Sequence, residues 1–223
     1  MPMELRPLVK KLQLEKAVIG GVSVRSGRLG ERRVVAIVTG MGTKLAREGT
    51  QQLLDALEVD EVVVVGITGA VDDETPIGTL IVPEVVVNSI TGAEYRPVPK
   101  AQGTPKGKMW TTDGLTTDAG VLAELRAQGV VSLDMETAAI AELCEARGIP
   151  WSVFRVISDR ATDGSINDEV FHLSNQDGTP NKQAVARYFL KHPTHVAQMA
   201  GLAKGAKLAT ETAADAAIRA FSA

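Results

Sequence analysis

Apolar positions along the chain switch between a helical and an alternating period, and the switches mark its elements. Leu5, Leu8, Val9 and Leu12 recur at helical spacing, with Pro7 tolerable in a first turn. Strand-like runs follow over 17–24 and 33–38, with Gly27 and Gly30 marking the turn. A glycine loop, Thr39-Gly40-Met41-Gly42-Thr43, then opens a helix over 44–57. Residues 61–65 carry a continuous valine run, the mark of a parallel strand buried on both faces. It ends in a small-residue loop, Gly66-Ile67-Thr68-Gly69-Ala70. A strand is predicted over 80–87, a long surface excursion over the Pro- and Gly-rich 88–112, and a helix over 115–128. The most regular stretch comes next: a short strand over 130–133, a helix over 135–147 and a strand over 151–157. Residues 160–180 are polar and turn-rich, and helices over 182–190 and 194–221 close the chain. No repeat or linker interrupts the pattern. It predicts one domain over 1–223, a three-layer αβα sandwich around a mixed central β-sheet.

Composition narrows this picture mainly by exclusion. The 223 residues suffice for one α/β domain, and 44% hydrophobic with 23% charged residues is ordinary for a globular chain. A net charge of −3 leaves no electrostatic footprint for nucleic acid or an anionic membrane. One cysteine, Cys144 on the apolar side of a helix, excludes an intramolecular disulfide and a cysteine-rich metal site, so core packing is expected of it. His172, His192 and His195 lack metal-ligand spacing, so no metal is expected. Without a signal peptide or a run of about twenty apolar residues, the expected location is cytoplasmic.

The candidate chemistry sits at strand ends. In open α/β sheets ligands bind outside the carboxyl ends of strands. Asp134 closes one strand as a helix cap, Glu136 follows in the first helical turn, and Ser158-Asp159 closes the next strand. Glu136 alone reads as a carboxylate complementing the helix dipole, and Asp159 alone as a turn residue. Two acids facing one crevice suit acid/base work on a sugar bond. The loops at Gly40–Gly42 and Thr68-Gly69 can bring backbone N–H groups to a ligand oxygen, though a tight turn explains such loops as well.

The order of these motifs resembles the nucleoside phosphorylase and nucleosidase superfamily. They are Gly40-Met41-Gly42, the valine strand into Gly66–Ala70, Leu133-Asp134-Met135-Glu136-Thr137-Ala138-Ala139 and Val156-Ile157-Ser158-Asp159. The likeness is greatest to the methylthioadenosine/S-adenosylhomocysteine nucleosidase branch and covers roughly residues 1–170. The resemblance implies hydrolysis of a purine nucleoside's N-glycosidic bond, no cofactor, and a homodimer or larger ring. It implies that Glu136 holds the ribose hydroxyls with Met135 packed under the sugar. Asp159 would protonate the departing base, and Ser158 would help orient it. Glu4, in Met1-Pro-Met-Glu4-Leu5, would activate the attacking water. The loop Thr111–Thr116 would lie along the base.

Several positions depart from the family's pattern. Relatives carry an apolar strand ahead of the Met-x-x-Glu segment, which this sequence lacks. Phosphorylases place an arginine and a serine where this chain has Val64 and Ile67, which favours water over phosphate as nucleophile. Leu115 stands where many relatives stack an aromatic on the base, leaving purine binding to Phe154, a nearby backbone or another subunit. Two alternatives remain: a phosphorylase recruiting Arg33, Arg47 or Arg160, and a nucleoside-binding protein without turnover. The helix over 44–57 is the expected face for a second copy.

Overall fold

The computed structural model describes residues 1–100 and 103–222. The chain runs α1 (Pro2–Leu12), β1 (Glu15–Ile19), β2 (Val22–Leu29), β3 (Arg32–Ala36), α2 (Thr43–Ala56), β4 (Val62–Ala70), β5 (Leu80–Ile81), β6 (Val85–Asn88), β7 (Glu94–Tyr95), β8 (Lys108–Thr111), α3 (Ala119–Ala127), β9 (Val130–Asp134), α4 (Thr137–Ala146), β10 (Trp151–Arg160), α5 (Asp168–Phe171), α6 (Lys182–Lys191) and α7 (Val196–Phe221). A 3-10 turn, Pro193–His195, joins α6 to α7. No helix is long and apolar enough to cross a membrane among the described residues.

Seven strands form the main mixed sheet in the order β5-β10-β4-β9-β8-β6-β7, while β1, β2 and β3 form a separate antiparallel sheet. β10 is the axis of the core, and its alternation explains the three layers. Trp151, Val153 and Ile157 pack with Ala138–Ala141 and Cys144 of α4. On the opposite face Phe154 and Val156 pack against Ala209, Ala213, Ala216 and Ala217 of α7. Alanines on both helices let backbone approach sheet closely, which is how a chain poor in aromatics fills its core. Cys144 is fully buried there, and burial pushes its thiol up to about 12.

The departures from the predicted elements have local causes. The run at 17–24 is split by a turn at Gly20 and Gly21 (φ 55° and 81°), so it makes a hairpin of its own. The strand at 80–87 breaks at Pro83, which cannot donate to a ladder. Residues 88–112 are not one surface excursion. β8 lies inside the sheet, parallel to both β6 and β9, with Met109 and Thr111 buried. Four residues between Pro- and Gly-rich flanks are too short a run for periodicity to reveal. Ala101 and Gln102, within that stretch, lie outside the described residues. α3 starts at Ala119 rather than 115, because the Asp118 side chain caps it by accepting from Val121 N–H at 3.0 Å. The valine run is less enclosed than expected: only Val64 is buried, and Val62, Val63 and Val65 are half-buried.

The topology also fixes where a ligand can go. β4 and β9 pair only at Gly69–Leu133 and Ala70–Ser132, so the carboxyl ends of two strands meet tip to tip. β10 ends beside them, with Asp159 opposite Gly69.

Candidate active site

A cavity of about 440 Å³ opens where these strand ends converge. Ile67, Thr68 and Gly69 of β4 form its floor with Leu133–Glu136 and with Arg155, Ser158 and Asp159 of β10. Glu4 enters from α1, the loop after β8 contributes Leu115, and α5 and α7 close it with Phe171, Met199 and Leu202.

The Ser158-Asp159 end is a bulge. The pairing register between β10 and β4 slips between Ile157 and Asp159, leaving Ser158 as the extra residue. The Asp159 carboxylate accepts a hydrogen bond from Ser158 Oγ. Gly69 makes the room for it: a Cβ there would stand 3.2 Å from Asp159 Oδ2. Burial raises the Asp159 pKa above the usual carboxylate range, the Ser158 bond opposes that, and Asp163 adds to it.

On the other side of the cavity, three carboxylates share one guanidinium. Arg155 Nη2 donates to Glu136 Oε2 at 2.8 Å and to Asp134 Oδ2 at 2.9 Å, and Nη1 lies 3.5 Å from Glu4 Oε1. Nη1 also donates to the Ile67 carbonyl at 2.8 Å. Glu4 Oε1 accepts from Ile67 N–H at 2.9 Å, and its other oxygen pairs with the amino nitrogen of Met1. Gly66 is required at the crossing of these groups, since a Cβ would stand 2.3 Å from Glu4 Oε1 and 2.8 Å from Arg155 Nη1. Asp134 closes β9 and, as expected, its side chain accepts from the N–H groups ahead of the helix, those of Glu136 (3.1 Å) and Thr137 (2.8 Å); α4 itself starts at Thr137 rather than Met135, with Glu136 at its N-cap position. Glu136 Oε1 accepts from Gly42 N–H at 3.2 Å, which the left-handed backbone of Gly42 (φ 94°) directs toward it. Burial raises the Glu136 pKa; Arg155 opposes this, and the charges of Asp134 and Glu4 reinforce it. The same three acids hold Arg155 firmly protonated against its own burial.

Of the residues singled out in the sequence, Glu4, Thr68, Gly69, Leu115, Met135, Glu136, Ser158 and Asp159 all line this cavity. Gly42 joins it through Glu136. Phe154 does not. It is fully buried on the far face of β10, edge-on to Phe221 of α7 with ring centroids 6.2 Å apart. The aromatic ring on the cavity is Phe171 instead. Arg33, Arg47 and Arg160 also stay off the cavity wall; Arg47 pairs with Glu142 and Arg160 donates to the Thr75 carbonyl at 3.3 Å. Sequence reasoning missed Arg155, although its signal was legible: an arginine inside a run of buried strand residues needs buried partners. Phe171, Met199 and Leu202 left no such signal, because they reach the site only through tertiary packing.

Comparison with known proteins bears on the family. The model of the phosphorylase superfamily matches residues 1–106 and 100–191. The chain belongs to that superfamily. A 5′-methylthioadenosine/S-adenosylhomocysteine nucleosidase of Geobacillus kaustophilus is 28% identical over 181 residues, covering 68% of this chain and 77% of that one. The enzyme of the same name from Chromohalobacter salexigens is 27% identical over 171 residues, covering 63% and 73%. Among solved structures, a mutant Helicobacter pylori MTAN with 5′-methylthioadenosine in its active site superposes with a TM-score of 0.75 at 14% identity, covering 99% of this chain and 94% of that one. The Helicobacter pylori futalosine hydrolase does so with a TM-score of 0.73 at 15% identity, covering 96% and 91%. The superfamily fold, a mixed sheet flanked by helices, is therefore shared along nearly the whole chain.

Proposed function

We propose that this phosphorylase-superfamily member hydrolyses the N-glycosidic bond of a purine nucleoside, with 5′-modified adenosines such as methylthioadenosine or S-adenosylhomocysteine as the substrate class. The observation that carries the reading is one cavity bearing a buried Asp159, whose pKa burial raises, and, separately, the Glu4–Arg155–Glu136 cluster. Breaking the bond places negative charge on the leaving base and positive charge on the ribose. Asp159, whose burial favours the protonated carboxyl, donates to the base, and such acid catalysis supplies about 10² to 10⁴ in rate. Glu136 accepts from the ribose hydroxyls, in bonds that strengthen as the sugar becomes cationic, while Met135 packs beneath the ring. Glu4 takes the proton of the attacking water, and Arg155 fixes the carboxylates of Glu4 and Glu136. Thr68, Gly69 and Ser158 border the base and sugar, and Phe171 with Leu115 supplies apolar surface.

The cluster's charge supports water as the nucleophile. A phosphate approaching Arg155 would meet Asp134, Glu136 and Glu4, three acids already on the one guanidinium. Curated relatives named as nucleosidases point the same way. The name of the futalosine hydrolase neighbour adds futalosine to the substrates worth testing. The reading also carries a homodimer or larger ring and needs no cofactor.

The deciding assay measures products from methylthioadenosine, S-adenosylhomocysteine, futalosine, adenosine and inosine, each with and without phosphate. Free base and free sugar, independent of phosphate, are expected. A sugar 1-phosphate formed only with phosphate would overturn the nucleophile. Calorimetric binding without product would make the protein a nucleoside-binding relative.

A further inference from the structure

Three acids share Arg155, but the side chain of only one is sealed from solvent. The Asp134 side chain is 0% exposed, against 11% for Glu4 and 15% for Glu136. Its carboxylate takes five donors: Thr111 Oγ1 on Oδ1, and on Oδ2 the N–H groups of Glu136 and Thr137, Thr137 Oγ1 and Arg155 Nη2. A helix cap accounts for the two N–H bonds alone, and an asparagine would serve there equally. The remaining bonds reach other elements. Thr111 ends β8, and its Oγ1 also accepts from Ala138 N–H of α4 at 3.1 Å. Thr137 Oγ1 in turn accepts from Arg155 Nε at 3.3 Å. Arg155 is thus held from its buried side by Asp134 and Thr137, while its other N–H groups meet Glu136, Glu4 and the Ile67 carbonyl.

A buried guanidinium lowers the energy of any anion beside it. Unbalanced, Arg155 would bind Glu136 and Glu4 so firmly that neither could accept well from a sugar hydroxyl or a water. Asp134 places its carboxylate 2.9 Å from Nη2 and offsets that cation. We propose that Asp134 is a positioning residue of the reaction: from the buried side it orients Arg155 and balances its charge, so that the guanidinium aims Glu136 and Glu4 yet leaves them free to serve the ligand. This role rests on the nucleosidase reading, in which Glu136 holds the ribose and Glu4 the attacking water. The charged groups facing Glu136 are Arg155 of β10, Asp134 of β9 and Glu4 of α1, with Gly42 N–H ahead of α2 as an uncharged donor. Burial raises the Glu136 pKa most, Arg155 lowers it, and the charges of Asp134 and Glu4 raise it again. Removing the charge of Asp134 at constant shape therefore lets Glu136 shed its proton at lower pH.

The test is Asp134→Asn, which keeps the cap and the side-chain size and removes the charge. Carboxyl-carbon NMR of the ligand-free protein, with the Glu136 signal assigned through Glu136→Gln, follows the protonation of Glu136 in both chains and needs no substrate. The titration is expected to move to lower pH in Asp134→Asn. The acid limb of kcat/KM, measured on whichever nucleoside the unmodified chain cleaves, is expected to move with it, and kcat to fall about 10²-fold. A titration that stays in place, or an acid limb that does not follow it, would overturn the proposal. A moved titration in a chain that cleaves no nucleoside would overturn the nucleosidase reading, and the role in the reaction with it, while the charge balance stands. Thr137→Val is read independently of the folding of Asp134→Asn. It keeps every charge and breaks the link from Asp134 to Arg155 Nε, so kcat should fall several-fold with the acid limb unmoved, and Thr137→Ser should restore it. Equal kcat in the Val and Ser variants would overturn the positioning.

Discussion

At the scale of single residues, the site is an arrangement of buried acids whose protons are set by their surroundings. Asp159→Asn removes the proposed donor but keeps the shape, so turnover should fall by about 10² to 10⁴ while calorimetric nucleoside affinity stays near its original value. Unchanged turnover would remove Asp159 from the mechanism. The pH dependence follows in sign. Folded Asp159 and Glu136 titrate above the usual carboxylate range, so between that range and their raised values the folded chain holds more protons than the unfolded one. The stability they contribute is complete below the ordinary carboxylate pKa and is lost as pH rises through the raised ones. Turnover should decline in the same direction, and a pH–rate profile of Asp159→Asn should lack that limb. Arg155→Met leaves Asp134, Glu136 and Glu4 crowded without their cation, a loss of about 3–5 kcal/mol in a urea titration. The loss should shrink toward acid pH as Glu136, whose pKa burial raises, takes up its proton. The acids were legible because each stands at a strand end or a helix start. Arg155 was passed over because a strand reading counts its neighbours' hydrophobicity and asks nothing about its charge.

At the scale of elements, the site depends on loops held against rigid ends. Asp113 receives Thr43 N–H and Thr43 Oγ1, each at 2.8 Å, and so ties the loop bearing Leu115 to the start of α2. Asp113→Ala should raise KM several-fold with kcat retained, because each lost bond is worth about 0.5–1.5 kcal/mol and neither touches the reacting bond. A matched fall in kcat would instead place the loop in the chemistry. Elements with strong period or caps were readable: α1, α2, α4, β10 and the C-terminal helices all appear close to their expected spans. β8 was not, because its place between β6 and β9 is a matter of pairing rather than of its own four residues. Leu115 was expected inside a helix, yet it lines the cavity because Asp118 delays the helix start.

At the scale of the whole molecule, α2 bears on assembly. Its Leu53 and Leu54, part of the apolar face that suggested an interface, border a second cavity of about 180 Å³ beside β4. A homodimer remains the proposed state, on whatever surface it forms; light scattering at micromolar concentration should give twice the monomer mass, and a monomer peak would sink it. The sequence by itself determined the three-layer architecture and the positions of Glu136 and Asp159, because strand ends, caps and apolar periods are local properties of the chain. Only the tertiary structure decided that Glu4 meets Arg155, that Phe171 rather than Phe154 reaches the cavity, and that β1–β3 form a sheet of their own apart from the seven-stranded one. Those contacts join residues far apart in the chain, and which face of β10 a side chain occupies depends on what packs there.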